Sequence, residues 1–265
     1  MPDLEMAHEH VKFINQAIAR LAPRWTTWTL QTIQQRGPLR VANISSALPW
    51  IGIQNTAQVV RRMETASLLE RPEHGVYALS PLGRSAEPAH RALVSWHRAH
   101  FADTGPALAE AERAEDALRR LRGKGAIEVL EALTQYGPLP NGELRAAARL
   151  ATGTFHYRVN QLKTDQLLTR TSDFSGAKYT LTPAARSLST VYTELTAFAR
   201  GSEAVLAPRS GEHSTAAQQT AGTARATAAV RRSPSAFPGL FSHAPDPQPR
   251  VPGHITALSR PSRTR

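Results

Sequence analysis

The sequence predicts a mainly α-helical protein made of two copies of one small domain, each with a short β-hairpin, followed by a disordered C-terminal tail. Two stretches about a hundred residues apart, "YALSPLGRS" at 77–85 and "YTLTPAARS" at 179–187, agree at five of nine positions. The helix and strand signals around both stretches follow one order. From Ser202 onward the chain is rich in Pro, Ala, Thr and Ser without helical or strand periodicity, which is typical of disorder.

The repeat extends well beyond these nine residues. "GPL" occurs at 37–39 and again at 137–139, and "RRMETASLLER" at 61–71 aligns with "NQLKTDQLLTR" at 160–170. The offset between the copies changes from 100 to 99 and then to 102, so the two copies share a frame and differ in loop length. We therefore predict four segments: a first domain at 1–101, a helical linker at 102–125, a second domain at 126–201 and a tail at 202–265.

The first copy has signals for helices, a hairpin and a further helix. "WTTWTLQTIQQ" predicts a helix that ends at the Gly37-Pro38 breaker, and "VANISSALP" predicts a short second helix. Thr56, Val60 and Met63 lie on one face of a predicted third helix. "LLERPEHGVYAL" predicts a hairpin around its glycine. The Ser-Pro pair that follows predicts a capped helix, because a hydroxyl accepts from the first turn and Pro suits the first helical position.

The second copy repeats this order. Residues 126–134 predict the first helix, and Asn141 is expected to cap the second. Phe155, Val159 and Leu162 predict the buried stripe of the third helix. "LLTRTSDFSGAKYTL" predicts a longer hairpin, and a Thr-Pro pair again predicts a capped helix.

Three helices, a hairpin and a helix form the plan of the winged helix-turn-helix domain. From "RWTTWTLQTIQQRGPLRVANISSALPWI" through "RRMETASLLER" and "YALSPLGRS" to "LVSW", the first copy resembles the HxlR-type bacterial transcription regulators. The second copy resembles the broader MarR and ArsR winged-helix families, with "TFHYRVNQLKTDQLL" similar to an ArsR-like third helix. These resemblances imply a homodimeric regulator whose third helix enters the major groove of double-stranded DNA.

The third helices supply the first candidate DNA contacts. Gln and Asn can pair with adenine, and Arg can pair with guanine or phosphate. The faces opposite the apolar stripes carry Gln54, Asn55, Gln58, Arg61 and Arg62 in the first copy, and Thr154, Tyr157, Arg158, Asn160 and Gln161 in the second. Ordinary solvated helix positions remain the alternative interpretation.

The hairpins supply a second group of candidates. Arg71 and His74 flank the first wing, and Arg170 and Lys178 flank the second. Basic wing residues commonly contact phosphates, which position a protein without reading sequence. Exposed turn charges would give the same pattern.

Composition narrows the possible functions. The net charge of +11 favours a polyanionic partner, with nucleic acid ahead of a membrane surface. The chain has no cysteine, so thiolate metal sites and disulfides are excluded. The sequence lacks nucleophile-elbow, phosphate-loop and dinucleotide motifs, so we expect no enzyme activity and no cofactor. We expect no membrane span and no signal sequence, and predict a cytoplasmic, nucleoid-associated protein.

The sequence therefore predicts a sequence-specific DNA-binding regulator of transcription. A winged-helix scaffold that binds proteins and does not read DNA is the alternative. The helices at 88–101 and 106–121 are expected either to form a dimer interface or to pack on their own domain. Because one chain has two third helices that differ at most predicted contact positions, we hypothesise that it occupies two unlike adjacent half-sites.

Overall fold

The computed structural model describes residues 2–101, 108–172, 174 and 176–206. Residues 202–206, which the composition assigns to the tail, belong to the last helix of the fold, so the predicted start of the tail at Ser202 is wrong. Ser202 is buried there, and its hydroxyl donates to the carbonyl of Ala199 over 2.6 Å. The rest of the predicted tail lies outside the described residues.

Residues 2–101, as the structure describes them, form six helices and three strands. They are α1 (Pro2–Leu21), α2 (Thr26–Arg36), β1 (Leu39–Arg40), α3 (Val41–Ala47), α4 (Ile53–Thr65), β2 (Leu69–Glu73), β3 (Val76–Leu79), α5 (Pro81–Ser85) and α6 (Glu87–His100).

The second half repeats this order of helices. Its elements are α7 (Glu110–Leu121), α8 (Ala126–Tyr136), α9 (Asn141–Ala147), α10 (Thr152–Thr164), β4 (Leu168–Arg170), β5 (Tyr179–Leu181), α11 (Pro183–Arg186) and α12 (Ser189–Leu206). The third helices of the two copies are therefore α4 and α10. The segment predicted as a linker contains α7, which is the counterpart of α1.

Each copy has one small antiparallel sheet. In the first, the strand order is β1-β3-β2, and Leu69 pairs with Leu79. Strand β1, which the sequence did not predict, adds the pair of Leu39 with Tyr77. The second copy repeats that pairing as an isolated bridge between Leu139 and Tyr179.

The duplicated Ser-Pro and Thr-Pro pairs cap helices as predicted. The Ser80 hydroxyl accepts from the Gly83 amide at 2.9 Å, and the Thr182 hydroxyl accepts from the Ala185 amide at 3.3 Å. Each hydroxyl also donates to a carbonyl at the end of the third helix of its own copy, at Ser67 and Gln166. The predicted cap at Asn141 is wrong, because helix α9 begins with Asn141 itself and its N-cap position is held by Pro140.

The first helix of each copy packs against the other copy. Helix α1 packs most extensively on α12 and also on α8, both from the second copy, and α7 packs on α6 and α2 of the first. Within the chain, the two linking helices α6 and α7 pack on each other, α6 also on α12, and α7 also on α2; a dimer interface between chains stays a prediction. The exchanged contacts are equivalent, so the two copies are related as the subunits of an intertwined dimer would be.

The exchange explains a part of the repeat that the sequence analysis missed. "AIARL" at 17–21 of α1 matches "ALRRL" at 117–121 of α7, at the same offset of 100. Ile18 and Leu118 are both buried, as are Leu21 and Leu121. Together with the buried residues of the helices that receive them, they form one continuous apolar core through both copies. Apolar burial contributes about 25 cal/mol per Å², so separating the copies would expose a large stabilising surface.

Each exchanged helix also makes polar contacts with the start of a helix in the other copy: α1 with α8, and α7 with α2. In α1, the Asn15 amide donates to Glu128 of α8 over 3.1 Å. At the equivalent position of α7, the Glu115 carboxyl lies at the start of α2, where the backbone amides of Trp25, Thr27 and Trp28 act to lower its pKa. The amides of a first helical turn lack partners within the helix, so they favour the ionised carboxyl, but the effect of burial is larger.

Glu115 also stabilises an unusual backbone conformation. Trp25 has a φ of 70°, in the left-handed region that bulky residues rarely adopt. Gly125, its counterpart, has a φ of 88°, which costs glycine little. The guanidinium of Arg24 lies 4.2 Å from the centre of the Trp25 ring, which further fixes this residue. Burial raises the pKa of the Glu115 carboxyl to about 7, and this effect outweighs the backbone amides and the charge of Arg24, which lower the pKa.

Replacing Glu115 with Gln should flatten the pH dependence of stability. The pKa of Glu115 in the folded protein is about 7 against an ordinary 4.5, so its stabilising contribution is complete below pH 4.5 and is lost as pH rises through 7. Wild-type protein should therefore lose about 2 kcal/mol more than Glu115→Gln between pH 5 and pH 8. Urea unfolding at the two pH values measures this difference.

The buried His90, whose pKa is lowered to about 4 by burial, is present in both proteins and cancels from the comparison. Glu112→Gln, at an exposed position of the same helix, is the matched control and should keep the wild-type behaviour. Equal pH dependence of wild type and Glu115→Gln would show that the carboxyl does not titrate in this way.

Candidate nucleic-acid interface

Helix α4 has one buried face and one exposed polar face. Thr56, Val60 and Met63 are buried as predicted, and Val59 joins them. The predicted contact residues Gln54, Asn55, Gln58, Arg61 and Arg62 are all exposed. The Asn55 amide donates to the carbonyl of Ile51 over 2.9 Å, which keeps this side chain close to the helix start.

Arg62 anchors helix α4 to helix α2. Its guanidinium donates to the Arg24 carbonyl over 2.8 Å and to the Thr26 hydroxyl over 3.3 Å. Partial burial lowers its pKa, and the nearby Glu115 carboxylate opposes this shift. One nitrogen of the Arg62 guanidinium is therefore bound at the start of α2, and the predicted DNA contact of this exposed residue stays a prediction.

The first wing places Arg71 and His74 at the surface. One nitrogen of the Arg71 guanidinium donates to Glu64 over 3.0 Å and to the Tyr77 hydroxyl over 2.9 Å. Its side chain remains 42% exposed. His74 is exposed beside Gly75, whose φ of 74° allows the tight turn.

Helix α10 exposes fewer of its predicted contact residues. Tyr157 is 65% exposed and Asn160 is exposed, whereas Thr154 is half-buried. Gln161 is also half-buried and donates to Asp165 over 2.8 Å. The prediction that Gln161 is free on the reading face is therefore wrong, because its amide is used within the copy.

Arg158 is buried rather than exposed, which contradicts its predicted place on the reading face. Its guanidinium donates to the carbonyls of Lys124 and Arg122, both over 3.2 Å. Lys124 is the counterpart of Arg24, so an arginine of the third helix holds the same carbonyl in both copies. The two arginines occupy different positions in their helices, because Arg158 aligns with Val59 and not with Arg62.

The second wing carries its basic residues differently. Lys178 is exposed, and its backbone amide donates to the Thr171 hydroxyl over 3.2 Å. Arg170 is half-buried, with its guanidinium 5.3 Å from the centre of the Tyr179 ring. Of the two, Lys178 is therefore the more accessible to a phosphate.

Helix α7 contacts structures next to both third helices. Its Glu115 lies near Arg62 of α4, as described above. Its Arg119 lies 3.4 Å from the carboxylate of Asp165, and Arg120 donates to the Asp165 carbonyl over 2.9 Å. Asp165 is buried directly after α10 and accepts from Gln161. One helix therefore fixes the positions of α4 and α10 through polar contacts.

The three histidines of α6 have separate partners. His90 lies 3.5 Å from the Thr27 hydroxyl, His97 lies 3.1 Å from Asp116, and His100 lies 2.6 Å from the Ser187 hydroxyl. Within the described part of the chain, no group of three or more His, Cys, Asp or Glu side chains could hold a metal ion. No helix among the described residues is long and apolar enough to cross a membrane.

Apart from Tyr157, sequence reasoning missed the large apolar side chains exposed at this surface. Among the described residues, the exposed large hydrophobic side chains are Trp50, Ile53, Tyr136, Tyr157 and Phe174. Four of the five lie on or beside a third helix or in the second wing, and Tyr136 lies at the end of α8. An apolar residue in a helix normally predicts a buried position, so nothing in the sequence pattern indicated that Ile53 is exposed.

Comparison with known proteins identifies the first copy only. Residues 20–104 match the family model described as HxlR-like helix-turn-helix. No curated protein and no solved structure matches the chain. The likeness of the second copy to the MarR and ArsR families stays a prediction. The matched segment runs from the end of α1 through α6, and this part of the chain is similar to the HxlR-like helix-turn-helix family, whose members are DNA-binding transcription regulators and not enzymes.

Proposed function

We propose that this protein is a sequence-specific DNA-binding regulator of transcription in which one chain carries two winged helix-turn-helix domains. The observation that carries the proposal is the exchange of α1 and α7 between two copies of the same element order, the first of which is HxlR-like. This exchange supports a model in which α4 and α10 take the places of the third helices of a dimer. One chain then supplies the two reading helices for which a single-domain regulator needs two subunits.

The surfaces of α4 and α10 have the groups that DNA requires. Gln58 and Arg61 are exposed on α4 and can read adenine and guanine edges. Gly52 and Ala151, at the N-caps of α4 and α10, carry no side-chain oxygen, so the amides of both first turns can donate to phosphates. Arg71 and Lys178 of the wings add exposed positive charge for further phosphates.

The two reading surfaces are not equivalent. Tyr157 aligns with Gln58 and Asn160 aligns with Arg61, while Arg158 is turned into the protein. A pair of unlike reading surfaces matches a DNA site with two unlike halves. We therefore propose an asymmetric site, with α4 over one half and α10 over the other.

The exchange also bears on the homodimer that the HxlR resemblance implies. Helices α1, α6, α7 and α12 bury their apolar faces against one another within a single chain. We propose that these helices take the place of the subunit interface, so that one chain suffices for each DNA site.

We predict different roles for two adjacent arginines of α4: Arg61 reads DNA, and Arg62 supports the fold. Arg61→Ala should remove about 1–3 kcal/mol of discrimination at one base pair and leave stability unchanged, because Arg61 is exposed and lies off the buried face. Arg62→Ala should lower the free energy of unfolding by about 1–2 kcal/mol, because it loses its bonds to Arg24 and Thr26. Selection from random DNA and urea unfolding measure the two effects.

Each variant is the control for the other, because the two positions are neighbours with the same side chain. Arg62→Ala should return the wild-type DNA motif, although at lower protein stability. If Arg61→Ala also selects the wild-type motif with wild-type affinity, then α4 does not read bases through this residue.

A second experiment tests the asymmetric site and the stoichiometry. The full-length protein should bind its selected site as one chain per duplex, because both reading helices are in that chain. Mass measurement of the complex by light scattering gives the stoichiometry. Asn160→Ala should change preference only in the half that Arg61→Ala leaves unchanged. A symmetric selected motif bound by two chains would contradict the proposal.

A further inference from the structure

We propose that Ile53 reads the 5-methyl group of a thymine, and that it does so in only one half of the DNA site. This inference rests on the proposed function, since it assigns a base contact to the same surface. Ile53 is the first residue of α4 and is 57% exposed. The N-terminal residues of a helix in the major groove are the ones that reach base edges. Thymine presents a methyl group there, which apolar side chains contact.

The surroundings of Ile53 favour DNA as the occupant of this surface. Trp50 lies three residues earlier, is 54% exposed and packs edge-to-face on Trp28 with ring centres 5.1 Å apart. The exposed Trp50 ring is therefore held in place by Trp28. Exposed Gln54 and Gln58 follow on the same helix, so hydrogen-bonding groups for adjacent bases stand beside the apolar group.

The second copy lacks this apolar group. Thr152 aligns with Ile53, and its hydroxyl accepts from Arg145 over 2.6 Å. Arg149 aligns with Trp50. The start of α10 is therefore polar where the start of α4 is apolar. Contact between an aliphatic side chain at the helix start and a thymine methyl therefore belongs to the half-site under α4, which gives the two halves different chemistry.

Replacement of thymine by deoxyuridine tests this proposal, because it removes the methyl group and keeps the pairing edge. The full chain is bound to its selected site, and each thymine is replaced singly. One replacement in the half-site assigned to α4 should weaken wild-type binding about fourfold, the effect of one buried methylene-sized group. For Ile53→Ala, the thymine and uracil sites should bind equally, and Ile53→Val should retain part of the difference.

Two controls make the result specific. Ile53→Ala places a better helix former at an exposed position, so the fold should be unaffected. Tyr136→Ala removes an exposed apolar side chain at the end of α8, 52% exposed, and should keep the wild-type response to uracil.

The outcomes distinguish this inference from the proposed function. Sequence-specific binding with no uracil effect, or with the same uracil effect in Ile53→Ala, overturns the thymine contact and leaves the regulator proposal standing. Failure of the full chain to select any DNA sequence overturns both proposals, and the exposed side chains of Trp50 and Ile53 would then bind a protein partner. A uracil effect in one half-site that Ile53→Ala abolishes supports the contact.

Discussion

The structure depends on the exchange of α1 and α7 between the two copies of the fold. Each exchanged helix buries its apolar face on the last helix of the other copy and places a polar side chain at the start of that copy's first internal helix. Neither copy completes its core from its own sequence. This constraint explains why the described helices share one continuous apolar core and why α7, placed between the copies in sequence, acts as part of both.

The same exchange determines how the two third helices are held. Glu115 stabilises the start of α2, where Arg62 of α4 is also bound, and Arg119 and Arg120 reach Asp165 after α10. The polar groups of α7 therefore act at both reading helices. Because the copies perform equivalent structural tasks with different residues, their exposed surfaces have been free to differ. An asymmetric reading surface is the consequence that we propose.

Much of the fold could be predicted from the sequence, because helix periodicity, the hairpin glycine and the hydroxyl-proline caps are local signals. The packing of α1 and α7 could not, since the match of "AIARL" to "ALRRL" is short and apolar stripes do not specify which helix covers them. The candidate site was predicted in part. Gln58, Arg61, Tyr157 and Asn160 are exposed as expected. Arg158 is buried, Gln161 is half-buried on Asp165, and the exposed Arg62 uses one nitrogen within the fold. Helical spacing indicates which face a residue lies on, and it does not reveal a carbonyl or carboxylate that binds a long side chain.

Splitting the chain between the two copies is the most direct test of the exchange. Residues 1–105 and 106–265 would be produced together as separate chains, with a tag on one of them. Since α1 and α7 complete the core of the opposite copy, the account predicts a one-to-one complex that unfolds in a single cooperative transition. Two separately folded pieces, each stable without the other, would contradict it.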